Sequence, residues 1–219
     1  MSNLLYLFRA GGFVMWPLLG LSIAACAVII ERLLMYRQMG NLAAQVQIDA
    51  RRLCLDGRYD EALALCQTTS GPVAACMATA ILHRREPVER IERWVEETGQ
   101  EYFLRLERGL PLLDTVTTVS PLLGLLGTIL GMIGAFHSIS ASAGGGQSGN
   151  NIDAVLQGVG EALYATAAGI TVAVVCFVAY NAFAARLRLI QGETEMAVTK
   201  LLNILGGTGS GKGEATNAV

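Results

Sequence analysis

The sequence predicts an all-α polytopic membrane protein with three transmembrane helices and a helical cytoplasmic domain. Three observations predict it. Acidic and basic residues are absent from 21 consecutive positions between Arg9 and Glu31, from 38 between Asp114 and Asp153, and from 24 between Glu161 and Arg186. At 1.5 Å of rise per residue, about 20 apolar residues cross roughly 30 Å of hydrocarbon, so each window holds one span. The remaining segments carry their apolar residues at helical spacing, and no hairpin signal interrupts them. Finally, of the 16 Lys and Arg residues one precedes the first window, 11 lie from Arg32 to Arg108, none separates the second and third windows, and four follow the third. Positive charge stays on the cytoplasmic side, so the N-terminus is expected to face outward and the C-terminus the cytoplasm. With no basic patch interleaved with aromatics, a nucleic-acid partner is not expected.

The elements follow in order. Residues 1–11 form the outer N-terminus and 12–35 the first span. That window is longer than the apolar region of a signal peptide, and Arg9 alone is a poor basic leader, so a retained span is expected. Residues 36–110 form the cytoplasmic domain. There "NLAAQVQIDARRLCLDG" stops at Gly57, "YDEALALCQ" ends in "TTSGP", and "VAACMATAILH" follows. Pro87 then opens "PVERIERWVEETGQEYFLRLERGL", with Val88, Ile91, Val95 and Phe103 roughly in step. No breaker interrupts it before Pro111, so one long helix is expected to run into the second span, 111–137.

Residues 138–152, containing "SISASAGGGQSGNN", are turn and linker types and read as an outer loop. The third span covers 153–185, a cytoplasmic helix 186–206, and a flexible tail 207–219. The tail contains "GGTGSGKG", which matches the start of a phosphate-binding loop. Gly213 stands where such a loop needs Ser or Thr for magnesium, and no strand precedes it, so an ATP-using enzyme is rejected. Neither a cofactor nor a metal is expected. The five cysteines (26, 54, 66, 76 and 176) form no C-x-x-C pair and read as small apolar fillers.

Candidate chemistry lies in the second and third spans. Asp114, Thr117, Pro121, Gly124, Thr128, Gly131 and Ala135 recur at steps of three and four, which gathers them on one helix face. A lipid-facing surface would carry the large residues instead, so this seam faces protein or a cavity. Close helix packing explains its glycines, since "GTILG" is a G-x-x-x-G motif; a polar path explains its threonines better. In the third span Ala162, Thr166, Gly169 and Ala173 share a face. Glu161 lies about 140° around the helix from Thr166, so the two do not share a groove. A carboxylate in a span is costly and usually functional, but near the outer end it also suits a water-facing or capping role.

"SPLLGLLGTILGMIGAF" followed by "GVGEALYATAAGITVAVVCFVAYN" resembles the paired signature of the ExbB/TolQ/MotA family of ion-driven membrane motor proteins, over residues 120 to 181. Three spans match the ExbB/TolQ-like branch rather than the four-span flagellar one. The resemblance implies a homopentamer whose second and third spans line a pore occupied by a dimer of single-span ExbD/TolR-like partners. The partner carries an aspartate, and a TonB/TolA-like energy transducer can follow. It also matches the family threonines to Thr128 and Thr166, the glutamate to Glu161, and the closing Tyr-Asn to Tyr180 and Asn181.

Thr128 and Thr166 are then the expected ion path, with Thr117, Pro121 and Gly124 lining it, while Glu161 and Asn181 are expected to set charge or helix register. A threonine hydroxyl relays or solvates a proton but cannot hold one, so the carrier is another chain's group or Glu161. The implied function is a proton-channel stator subunit, not an enzyme, coupling the proton-motive force to nutrient import, envelope maintenance or surface motility. A non-conducting membrane scaffold and a sodium-driven motor are the alternatives.

Overall fold

Hydrocarbon offers no partner to a peptide group, so a spanning chain must satisfy its amides within each segment. The structure, a computed structural model, describes residues 12–39, 42–142 and 148–210, and every regular element among them is an α-helix. They are α1 (Met15–Met39), α2 (Leu42–Leu55), α3 (Tyr59–Thr68), α4 (Pro72–Leu82), α5 (Val88–Glu107), α6 (Leu110–Ser142) and α7 (Ser148–Ser210). Three stretches are long and apolar enough to cross a membrane: Met15–Arg37, Val88–His137 and Gly158–Gly206. The all-α fold with three such helices is therefore the one the charge-free windows predict.

Helix limits differ from the sequence reading at three places. α5 stops at Glu107, Arg108 leaves the helical conformation (φ −55°, ψ 126°), and Gly109 takes φ +91° before α6 begins. A left-handed backbone is cheap only for glycine, so the chain turns there, two residues ahead of Pro111. Pro111 then sits in the first turn of α6, where an N–H has no helical acceptor anyway. α6 also continues through Ser138–Ser142, and α7 starts at Ser148, so part of the stretch read as loop is helical. Residues 143–147 of that stretch, and 211–219 of the tail, lie outside the described residues. Lastly, α7 runs unbroken for 63 residues. At 1.5 Å each that is about 95 Å, and it joins the third span to the helix expected at 186–206.

The chain divides into two compact units, Met1–Glu31 with Gly109–Ala182, and Arg32–Arg108 with Phe183–Val219. In the second, α4 is the central helix. Gly71 (φ +142°) and Pro72 start it, and "PVAACMATAIL" has too few polar residues for an exposed face. Val73, Ala74, Met77, Ala80 and Ile81 are buried against α3, Ile91 and Val95 of α5, and Leu201 and Leu205 of α7. Cys54, Cys66 and Cys76 belong to this core, and burial pushes each thiol up to about 11. They stay protonated at neutral pH and act as small apolar side chains.

The end of α5 has its own fastening. Its last carbonyls lose their helical donors at the Arg108–Gly109 turn. The buried guanidinium of Arg32 donates to the carbonyls of Arg105 (3.1 Å) and Leu106 (3.0 Å), and the Tyr36 hydroxyl donates to Leu106 at 3.3 Å. Tyr36 also stacks on Phe183, with ring centroids 5.6 Å apart.

Candidate functional site

In the first unit α6 and α7 touch backbone to backbone, and the reason is what the sequence leaves out. A Cβ on Gly169 would stand 2.5 Å from the Ser120 carbonyl oxygen, and one on Gly131 2.8 Å from that of Gly158. On Gly127 it would meet the Ala165 Cβ at 2.5 Å, and on Gly124 the Thr166 Cα at 3.0 Å. No side chain fits between these main chains. Lipid tails are as apolar as leucine, so spans gain nothing by hiding leucine from them; close contact and hydrogen bonds hold them together instead.

At this crossing the Thr166 hydroxyl is within hydrogen-bond distance of the carbonyl of Gly124 (3.0 Å) and of Ala162 in its own helix (3.2 Å). One hydroxyl hydrogen serves both acceptors, so the bond across to α6 and the bond back to α7 compete. Gly124 makes the first possible, because a side chain there would collide with Thr166 itself. Thr166 is half-buried, at the edge of a stripe formed by Ala162, Ala165, Gly169 and Ala173.

The remaining site candidates divide. Thr128 donates to Leu125 of its own helix at 2.7 Å, and Thr117 reaches the carbonyls of Leu113 (3.0 Å) and Asp114 (2.7 Å). Pro121, inside α6, has no N–H to give to the carbonyl of Thr117 one turn earlier. At 100° per residue Thr117, Thr128 and Pro121 lie about 20° to 60° to one side of Gly124. The buried residues Ser120 and Gly127 lie about 40° to 60° to its other side. The single seam read from the sequence is thus two adjacent stripes: a packing stripe buried against α7 and a partly exposed polar stripe beside it.

Sequence reasoning missed Ser120 and Gly127. The Gly124-Gly127-Gly131 spacing could have revealed the second. Nothing marked Ser120, whose hydroxyl is fully buried and has no hydrogen-bond partner among the described residues.

Glu161 is elsewhere. Its half-buried carboxylate lies against the main chain of Gly12, so close that a Cβ there would collide with Oε1. Gly12 has φ +67°, and its carbonyl accepts the N–H of Met15 at the start of α1. A carboxylate beside the first turn of a helix is favoured by that turn's unpaired N–H groups. Asn181 is exposed, and its side-chain amide donates to the Phe177 carbonyl one turn back at 2.9 Å. Among the described residues no group of three or more His, Cys, Asp or Glu is placed to hold a metal ion.

Comparison with known proteins places the chain in a family. Residues 68–196 match the profile of the MotA/TolQ/ExbB proton channel family. A biopolymer transport protein, ExbB-like 3, of Synechocystis sp. is 33% identical over 84% of this chain and 89% of its own length. The Tol-Pal system protein TolQ of Haemophilus influenzae is 35% identical over 46% of this chain and 42% of its own. The biopolymer transport protein ExbB of Xanthomonas campestris is 38% identical over 43% and 36%.

Proposed function

The chain belongs to the MotA/TolQ/ExbB proton channel family, and from that premise we propose that it is the channel-forming stator subunit of an inner-membrane motor. Copies of the chain, five in the reading taken from its motifs, form a ring lined by α6 and α7. A dimer of single-span ExbD/TolR-like helices occupies the pore and carries the titrating aspartate. A TonB/TolA-like transducer passes the work on. The N-terminus is periplasmic, and the Arg32–Arg108 segment is cytoplasmic.

The observation that supports this reading is the Thr166 hydroxyl at the α6–α7 crossing, within reach of the Gly124 carbonyl. An ionised carboxylate entering this apolar unit needs a donor, because an unpaired charge there costs several kcal/mol. Thr166 can turn its hydrogen from Gly124 to the partner's carboxylate at little cost. The Gly124 carbonyl keeps its helical acceptor position toward the N–H of Thr128, four residues on. When the carboxylate is protonated, the hydroxyl returns. Thr128, Thr117, Pro121 and Gly124 line the same path in this scheme.

Thr166→Val keeps the shape and removes donor and acceptor. Proton flux in proteoliposomes holding the chain and its partner is expected to fall by more than tenfold, with ring and partner still bound. Thr166→Ser should retain most of it. Full flux through the valine variant would sink the hydroxyl's role. Absence of flux from the wild-type complex would favour the scaffold reading, for which the glycine crossing alone suffices, and flux driven only by a sodium gradient would replace the ion.

Glu161 has a separate task in this proposal: held against Gly12, it ties the start of α1 to α7 and sets register. Glu161→Gln is expected to retain most flux and Glu161→Ala to lose it. Equal loss in both, with the ring intact, would make Glu161 a proton carrier.

A further inference from the structure

The second unit carries two exposed surfaces that nothing among the described residues completes. One is a groove of about 480 Å³ between α5 and the last part of α7. Val95, Gly99 and Phe103 lie along its floor, and Glu92, Glu96 and Glu195 stand on its rim. Gly99 places no side chain between Val95 and Phe103, which leaves an apolar seat there. The other surface is a basic face on α2. Ile48 and Leu55 are 66% and 62% exposed, and Arg51, Arg52 and Lys200 stand around them over a hollow of about 310 Å³.

Some charges of the unit are neutralised by a neighbour within it. Arg58 pairs with Glu61, Arg105 with Glu101, and Arg84 with Asp60. Arg51, Arg52, Lys200, Glu92 and Glu195 have no ion-pair partner among the described residues, and Glu96 meets only the amide of Gln100. Glu92 and Glu96 are moreover four apart on one helix, a like-charge spacing that disfavours the helix unless a cation covers it.

The two surfaces also face different ways. Glu195 and Lys200 flank α7 five residues apart, about 140° around the helix. A copy can therefore give one surface to a neighbour and receive on the other. That is the requirement of a head-to-tail contact, which closes into a ring rather than a two-fold pair.

We propose that the α2 face of one copy, through Ile48, Arg51, Arg52 and Leu55, docks into the α5–α7 groove of the next copy, with its arginines against Glu92, Glu96 and Glu195. Apolar side chains fill an apolar seat, and the two arginines meet carboxylates. The inference rests on the ring proposed above and names the surface that joins its subunits outside the membrane spans.

The test uses the full chain in native membranes with the exposed Cys26 changed to serine, since the buried Cys54, Cys66 and Cys76 react slowly. Arg52→Cys and Glu96→Cys are made singly and together. Under mild oxidation each single variant is expected to remain monomeric on a non-reducing gel. Two singles co-expressed with different tags should give a mixed dimer, and the double variant a ladder ending at the ring. Separately, Arg51→Glu with Arg52→Glu should lower the ring fraction in native mass spectrometry at least tenfold, and adding Glu92→Arg with Glu96→Arg should restore it.

Self-crosslinking of Arg52→Cys alone would show a two-fold contact and overturn the proposal. So would crosslinks only to another protein, or a ring that forms without any Arg52→Cys to Glu96→Cys crosslink. That last result would leave the channel reading standing. A full ladder with no proton flux would do the reverse.

Discussion

The α6–α7 crossing and the core around α4 solve the same problem by opposite means. At the crossing, Gly124, Gly127, Gly131 and Gly169 remove side chains so that two main chains meet. Around α4, Met77, Ile81, Ile91 and Leu201 fill the space with side chains that are fully buried. In water, burying a leucine is worth about 1.5–3 kcal/mol, so a helix bundle gains by bringing large apolar residues inward. Between spans that gain vanishes, and Leu122, Ile129, Ile133 and Phe136 stay on the outside. The lesson is that glycine is to the first unit what leucine is to the second.

This comparison can be broken most sharply at Gly169. Any side chain there drives a Cβ to within 2.5 Å of a main-chain oxygen that cannot turn aside. Gly169→Leu is expected to separate α6 from α7 and leave no cooperative thermal transition in detergent, followed by circular dichroism. Gly134→Leu, where no described residue lies within 4 Å of the added Cβ, should melt like wild type. Equal damage at both positions would mean that glycine serves α6 and α7 by some route other than contact.

The second unit should show the reverse sensitivity. Leu201→Ala leaves a hole in a closed core, with an expected loss of about 2–5 kcal/mol. Leu104, 69% exposed on α5, should lose no more than about 0.5 kcal/mol on the same change. Urea unfolding of the full chain, followed by Trp94 fluorescence in a Trp16→Phe background, separates the two.

The smallest effect concerns the loop between α4 and α5. His83 stacks on Trp94 with ring centroids 5.1 Å apart, and its Nδ1 is 2.9 Å from Glu86 Oε1. The hydrogen bond from His83, aided by the nearby charges of His83 and Arg90, holds the Glu86 carboxyl below its ordinary value of 4.5. A carboxyl depressed in the folded state adds stability above its unfolded value, and that contribution fades as pH falls through the folded one. Acidification below about pH 4.5 is therefore expected to loosen this clasp, and Glu86→Gln to remove that part of the pH dependence. A Trp94 emission titration unchanged by Glu86→Gln would exclude the carboxyl as its source.

How much of this was legible beforehand varies residue by residue. The three spans follow from the lack of charge over 21, 38 and 24 residues, and Gly124, Gly131 and Ala135 follow from their spacing. Thr166 was visible as a hydroxyl among alanines and glycines, but not its bond to Gly124, 42 residues away. The turn at Gly109 was hidden because a glycine between Arg108 and Leu110 looks the same in a helix as at its end. The contact of Glu161 with Gly12 had no local signal, for its two residues are carried by different spans.

By itself, then, the sequence determined that this protein is helical, which stretches can cross a membrane, and which helix faces are too small for lipid. Those properties depend on composition and on a fixed turn of 100° per residue, and both can be read along one strand of text. Tertiary structure decided which half of the α6 seam meets α7 and which half is left to its hydroxyls. It also decided that Ser120 is sealed without a partner among the described residues, and that Glu161 lies against Gly12 rather than Thr166. A rotation of about 40° separates a buried glycine from a partly exposed threonine on the same helix. That rotation is set only when another main chain arrives to within contact of the first.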